Sequence, residues 1–265
     1  MCGLAGIIFG RKRRSADERE YLARVFAHIL RASEERGPHA TGAAWVNRDG
    51  EHAILKHPVP SGVFTLMGGF DELLAEIDNR ATILMGHTRW RTRGSEENNR
   101  NNHPIRAGEV LATHNGTITT ADALFRRFRM KPQTEVDTEI LVRAAARAWR
   151  SGELDTEALK ARVAHFRGQI TAVFASRKDP ERILVLKGNK PLALWWHRKH
   201  RVVAYASDEA YLDDALSGER GWRPLDVPPM SLLVFDTNRL LDFTNEEFSF
   251  HAHEPRRVGA REVAP

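Results

Sequence analysis

Met1-Cys2-Gly3-Leu4-Ala5-Gly6-Ile7-Ile8-Phe9-Gly10 opens the chain, and its reading decides both fold and chemistry. Residues 3–9 are apolar and few, which predicts a short buried strand. Directly before them stands Cys2, the one cysteine among 265 residues. A lone cysteine excludes an intramolecular disulfide and a multi-cysteine zinc site. In most proteins it is an inert core residue. The position changes that reading. Removal of Met1, which a small second residue permits, gives Cys2 a free α-amine beside its thiol. An α-amine with a pKa of roughly 7.7–8.0 is partly neutral near physiological pH. It can then act as base for its own thiol, the logic of an N-terminal nucleophile. Position alone leaves a chance cysteine in a strand equally open.

Outward from this stretch, Arg11-Lys12-Arg13-Arg14 follows the apolar run, whereas a secretory signal carries its charges in front. No apolar run has the length of a membrane helix, so the cytoplasm is the expected location and no membrane partner is expected. Hydrophobic residues make up 42% and charged residues 28%, the mix of a soluble globular chain. The net charge of +5 favours an anionic partner only weakly. No nucleic-acid motif accompanies the basic run at 11–14, which reads as a solvated loop, and nucleic acid is not an expected partner.

Helical spacing of Leu22, Val25, Phe26, Ile29 and Leu30 predicts an amphipathic helix over 17–32. Strands are expected at 41–46 and 52–57 around an Asn47–Gly50 turn, a helix at 71–77 and a buried strand at 81–87. Residues 88–104 are too polar for core and read as a loop, and long irregular stretches in compact domains often carry function. A strand at 110–114 runs into Asn115-Gly116, a turn signal, and helices follow at 121–128, 137–149 and 156–165. Strands are then expected at 169–176, 182–187, 192–196 and 202–206, a helix at 208–216, a hairpin of 231–235 with 240–243, and a last strand at 248–251. Strands come in clusters, which argues for an α+β arrangement or layered sheets over a doubly wound sheet. One domain spans residues 1–253, with a frayed tail at 254–265.

Five segments in order carry a family resemblance: Met1-Cys2-Gly3; Arg36-Gly37-Pro38-His39-Ala40-Thr41-Gly42; Gly86-His87-Thr88-Arg89-Trp90-Arg91-Thr92-Arg93-Gly94; Asn102-His103-Pro104 with His114-Asn115-Gly116; and Val136-Asp137-Thr138-Glu139. Together they resemble the glutaminase domain of the class II glutamine amidotransferases, N-terminal nucleophile hydrolases, and above all the glutaminase half of glucosamine-6-phosphate synthase. Gly168-Gln169 and Ala206-Ser207-Asp208 extend the likeness over about the whole chain.

The resemblance implies a four-layer α-β-β-α sandwich and a glutamine amidohydrolase needing no cofactor and no metal. Cys2 would be the nucleophile, forming a thioester, with Asn115 and Gly116 the oxyanion hole. Arg89 would grip the α-carboxylate of glutamine, as its forked donors suit. Asp137 would pair with the α-ammonium, although an aspartate there also fits a helix N-cap. Trp90 and Thr92 would line the pocket and Arg93 would reach the ligand. Arg36 would position Cys2, or else make a structural ion pair, with His87 and His114 in support. A separate ammonia-accepting synthetase subunit is the implied partner.

Two departures stand out. Arg91 and Arg93 occupy positions where the family commonly has Ala and His, and Val136 stands for a common Ser. They keep open an N-terminal nucleophile hydrolase of another amide. A non-catalytic partner protein of the same fold is a further alternative.

Overall fold

In the computed structural model, which describes residues 1–149 and 152–252, the opening run forms strand β1 (Gly3–Phe9), buried throughout. Its side chains divide with period two. Ala5, Ile7 and Phe9 enter one apolar cluster, and Leu4 and Ile8 another. A strand that buries both faces has no polar face to alternate with, so the run is apolar throughout.

Helix α1 (Ala16–Ala32) begins at Ser15, whose side chain accepts from the Glu18 amide, and it carries Asp17 and Glu18 in its first turn. Next come β2 (Ala40–Asn47), β3 (His52–His57), α2 (Ser61–Phe64), α3 (Gly68–Ala75) and β4 (Ala81–Arg89). Then follow β5 (Ile105–Ala107), β6 (Val110–Ile118), α4 (Ala121–Arg127), α5 (Thr138–Ala148), α6 (Thr156–Val163), β7 (Arg167–Ser176) and β8 (Arg182–Lys187). The last elements are β9 (Ala193–His197), β10 (Val202–Ala206), α7 (Glu209–Ala215), β11 (Trp222–Leu225), β12 (Ser231–Asp236), β13 (Thr244–Glu247) and β14 (His251–Ala252).

One sheet has the order β11-β9-β10-β1-β4-β2-β3, the other β13-β12-β8-β7-β6-β5, with β14 parallel to β7. Three apolar interfaces separate four layers. Leu22 and Phe26 of α1, Phe64, Phe70 and Leu212 pack on the outer face of the first sheet. Leu4, Ile8, Val46 and Ile83 meet Leu111, Val173, Val185 and Leu233 between the sheets. Leu124, Ile140 and Leu159 of α4–α6 cover the second sheet at Ala112, Phe174 and Leu186. This is the α-β-β-α sandwich that the resemblance implies.

The sequence reading needs correcting in several places, one being the last strand, expected at 248–251 and present only as β14. Strand β4 runs on through Thr88 and Arg89, both buried, although a loop was expected from 88. Asn101, Asn102 and His103 are buried as well, and β5 follows at once. These polar residues tolerate burial because they are bonded, Thr88 Oγ1 donating to the Ser33 carbonyl (2.7 Å) and Asn101 Nδ2 to Glu135 (2.6 Å). Asn115-Gly116 lies within β6 and makes no turn. Residues 240–243 do not form the hairpin strand; β12 pairs instead with β13, the polar Thr-Asn-Glu-Glu at the sheet edge. The apolar signal at 240–243 comes from Leu240 and Phe243 packing into the inter-sheet core. Strand β11 carries no strand signal in the sequence because it contains Pro224, which an edge strand accepts. The tail at 254–265 lies outside the described residues.

Buried Arg14 fixes the far end of β1. Its Nη2 donates to the carbonyls of Gly10 (3.0 Å), His200 (2.8 Å) and Arg201 (3.1 Å). Arg14→Met takes this donor from the Gly10 and His200 carbonyls, while the Arg201 carbonyl keeps the Gly10 amide, and is expected to lower stability to urea by about 2–4 kcal/mol. A loss under about 0.5 kcal/mol would show that water replaces the guanidinium at no cost.

Candidate active site

Antiparallel pairing sets Gly3 opposite Thr88, so Cys2 enters β1 beside Arg89 and Trp90. The Cys2 thiol points to the Trp90 carbonyl at 3.7 Å. Arg36 Nε donates to the Cys2 carbonyl (3.1 Å), while its Nη1 lies 3.6 Å from Asp208. Arg36 thus touches both the Cys2 backbone and the Asp208 carboxylate. Gly37 lets this turn touch the end of β4, since a Cβ there would stand 2.3 Å from the Arg89 carbonyl carbon. Burial pushes the Cys2 thiol up, the nearby Arg89 charge pulls it down, and Asp137 adds to the rise. The Met1 amine is held below its usual value by burial, with Arg36 and Lys190 adding to the effect and Cys2 opposing it. Nothing local in the sequence marks Lys190.

Strand β6 supplies hydrogen-bond donors. It pairs with β7 along its whole length, but β5 covers its other edge only as far as Ala112. Backbone groups point alternately to the two edges. The Thr119 amide faces β7, bonding the Arg167 carbonyl (2.9 Å). The even-numbered residues therefore face the open edge. There the His114 carbonyl accepts from His87 Nε2 (3.1 Å), and the Ile118 amide donates to Asp137 Oδ2. The Gly116 amide lies between them on the same edge. Residue 116 has to be glycine, because its φ is 151° and a Cβ would stand 1.9 Å from the Gln169 carbonyl oxygen. The neighbouring Asn115 is 1% exposed, and its Nδ2 has no hydrogen-bond partner among the described residues. A buried amide donor left unpaired costs about 1–3 kcal/mol and is poised for an acceptor that arrives with a ligand.

Behind these donors His87, His103 and His114 form one buried group. The rings of His87 and His103 stack at 3.9 Å, and Thr138 Oγ1 lies 3.1 Å from His103 Nε2 and 2.9 Å from His114 Nδ1. His114 Nε2 faces the Gln169 carbonyl (3.2 Å) and so carries a proton, which makes its Nδ1 the acceptor of the Thr138 hydroxyl. Thr138 in turn accepts from His103. Burial depresses all three, His87 to about 3. Among the described residues no group of three or more His, Cys, Asp or Glu is disposed to hold a metal ion.

The remaining candidates sit on or near the 90–98 loop. Arg89 is the post around which it wraps, its terminal nitrogens donating to Asn102 Oδ1 (2.8 Å) and the carbonyls of Arg93 (2.5 Å) and Gly94 (2.9 Å). Asp137 occupies the N-cap of α5 but makes no capping bond with its side chain, which reaches Ile118 instead. Trp90 is 45% exposed, not core, and packs edge-on against His39. Thr92 is exposed. Arg93 turns to Asp122 at the start of α4 (2.9 Å) and Arg91 to Glu96 (2.9 Å). Their side chains are thus engaged with the protein.

Known proteins share this fold. No family model matches the chain. A glutamine–fructose-6-phosphate aminotransferase (isomerizing) of Mycobacterium bovis is 32% identical over 205 residues, 73% of this chain and 30% of the relative. The chain belongs to the class II glutamine amidotransferases. A 7-cyano-7-deazaguanine synthase of Saccharolobus solfataricus is 24% identical over 248 residues, 91% of this chain and 50% of the relative. The chain thus spans between about a third and a half of these relatives. In structure, the glutamine phosphoribosylpyrophosphate amidotransferase of B. subtilis matches 94% of this chain and 49% of its own, with a TM-score of 0.66 at 20% identity, which identifies the fold. The family is one of enzymes of the N-terminal nucleophile hydrolase type.

The neutral histidines give this amidotransferase domain a pH signature. In the unfolded chain a histidine takes up its proton near 6.5, in the folded protein His87 only near 3. Between these values the unfolded state binds more protons, so stability is full above about pH 6.5 and falls as the pH drops. His87 alone is expected to contribute a loss of about 2 kcal/mol by pH 5. Urea midpoints at pH 7 and 5 should differ less in His87→Asn than in the parent. The same difference in both would contradict the assignment.

Proposed function

We propose that the chain hydrolyses the side-chain amide of L-glutamine, with Cys2 as an N-terminal nucleophile once Met1 is removed. The observation that carries this reading is the unpaired, buried Nδ2 of Asn115 beside the open-edge amide of Gly116, on the strand that lies against the Cys2 end of the first sheet. The relatives' names support it, since one of them names glutamine.

The α-amine of Cys2, freed by removal of Met1, takes the thiol proton. The thiolate attacks the carboxamide carbon, and the carbonyl oxygen becomes an oxyanion held by Asn115 Nδ2 and the Gly116 amide. The carbon–nitrogen bond breaks as the amine returns its proton, releasing ammonia and leaving a thioester on Cys2. Water then adds to the thioester, giving glutamate and the free thiol. Asp137, with one oxygen engaged by Ile118, has the other for the substrate ammonium. Arg89 offers its charge and Nε–H to the substrate carboxylate while its terminal nitrogens hold the loop. Trp90 and Thr92 border the entrance. Arg93 and Arg91, tied to Asp122 and Glu96, shape the loop and leave the glutamine site itself unchanged.

The ammonia passes to a separate synthetase subunit, and the protein works in the cytoplasm, where a lone thiol stays reduced. Glutamate release by Asn115→Ala tests the reading. The expected result is a fall in kcat of about 10²–10³ with KM changed only a few-fold. Undiminished kcat in this variant would contradict the proposed oxyanion hole.

A further inference from the structure

The basic run Arg11–Arg14 is not a simple solvated loop. Arg14 is buried, Lys12 pairs with Glu18, and Arg11 meets a second basic run, residues 198–201, far away in sequence. The Gly10 amide donates to the Arg201 carbonyl (2.8 Å), the Arg11 amide to Thr237 (2.7 Å), and Arg201 Nη1 to the Arg11 carbonyl (3.1 Å). These contacts build a cleft of about 280 Å³ at the Phe9 end of β1. The seven residues of β1 separate it from Cys2 by roughly 20 Å.

Arg11, Arg198, Arg201 and Arg239 line the cleft against a single carboxylate, Asp242, with Trp196 and Leu240 as its apolar wall. Arg11, Arg198 and Arg201 enter no ion pair among the described residues, whereas Arg239 lies 3.8 Å from Asp236, which Arg182 already holds at 2.7 Å. Burial first, then Arg48 and Arg201, lower the Arg14 guanidinium to about 10 against the pull of Glu18. Arg201 also keeps a backbone φ of 50°, a costly conformation for a side-chain-bearing residue.

We infer that this cleft binds a small phosphorylated molecule, its phosphate held by Arg11, Arg198 and Arg201 and its ring against Trp196. Guanidinium forks match phosphate oxygens in geometry, and a phosphate monoester supplies nearly two negative charges for three cations that lack an ion pair among the described residues. The indole adds a flat apolar surface for a ring. A nucleic-acid strand needs an open basic track, whereas here the arginines line a cleft of about 280 Å³ that also carries the Asp242 carboxylate.

Calorimetric titration of the full chain at physiological ionic strength tests the inference, with AMP, glucose 6-phosphate, inorganic phosphate and adenosine as probes. One of the two phosphate esters should bind at a single site, more tightly than inorganic phosphate, while adenosine does not bind. Arg11→Glu/Arg198→Glu should weaken that binding by at least about tenfold. An unchanged circular dichroism spectrum and urea midpoint show that this variant is folded, and Trp196→Leu should weaken the ester without affecting inorganic phosphate. The inference is overturned if neither ester binds up to about 5 mM, or if the charge reversal leaves binding intact. It is equally overturned if a single-stranded oligonucleotide binds about tenfold more tightly than both esters with the same sensitivity to the reversal.

Discussion

One hydrogen bond crosses between the two sheets beside the site, from His87 Nε2 on β4 to the His114 carbonyl on β6. Everything around it depends on β6 being left uncovered past Ala112. A bare strand edge inside a protein must satisfy its backbone groups or lose stability. Here two side chains do so in part: His87 donates to the carbonyl of His114 and Asp137 accepts from the amide of Ile118, while Thr138 steadies the His114 ring. Between these filled positions stays the Gly116 amide, with the bare Nδ2 of Asn115 next to it. The same bond ties the donor strand to β4, and β4 in turn carries Arg89 and pairs with β1, which brings Cys2.

The site combines charges and dipoles that would relax if water filled it. Cys2 feels Arg89 and Asp137 together, and burial works against its ionisation. The nucleophile role proposed for this thiol requires a base close by and donors already aimed, since reorganising them during reaction would raise the barrier. Arg36, bonded to the Cys2 carbonyl and facing Asp208, fixes the Cys2 backbone from behind. The loop around Arg89 closes the other side through carbonyl contacts instead of apolar packing. Such a loop opens at less cost than a packed core does.

How far the sequence reveals this depends on the kind of interaction. Strand β1, helix α1 and the β2–β3 hairpin are legible because apolar spacing reports burial directly. The stretch 88–104 is not. Its polar residues are buried by partners that lie far off in the chain, as Thr88 is by Ser33 and Asn101 by Glu135. Asn115-Gly116 reads as a turn by local chemistry, and only the pairing of β6 with β7 makes it strand. The ordered motifs point to Cys2, Arg89, Asn115 and Asp137, yet no motif says which of their atoms are already engaged. Arg93 shows the difference: by resemblance it would reach the ligand, while its guanidinium is tied to Asp122. Lys190 and the Thr138 clasp emerge only from the packed structure.

The central claim is that Cys2, freed of Met1, is the residue that reacts with the glutamine amide. Intact-mass and peptide-mapping spectrometry before and after treatment with a glutamine-analogue electrophile measures this directly. The account predicts that active protein lacks Met1 and gains one adduct, on Cys2, which excess glutamine suppresses. Active protein that keeps Met1, or an adduct on any other residue, would contradict it.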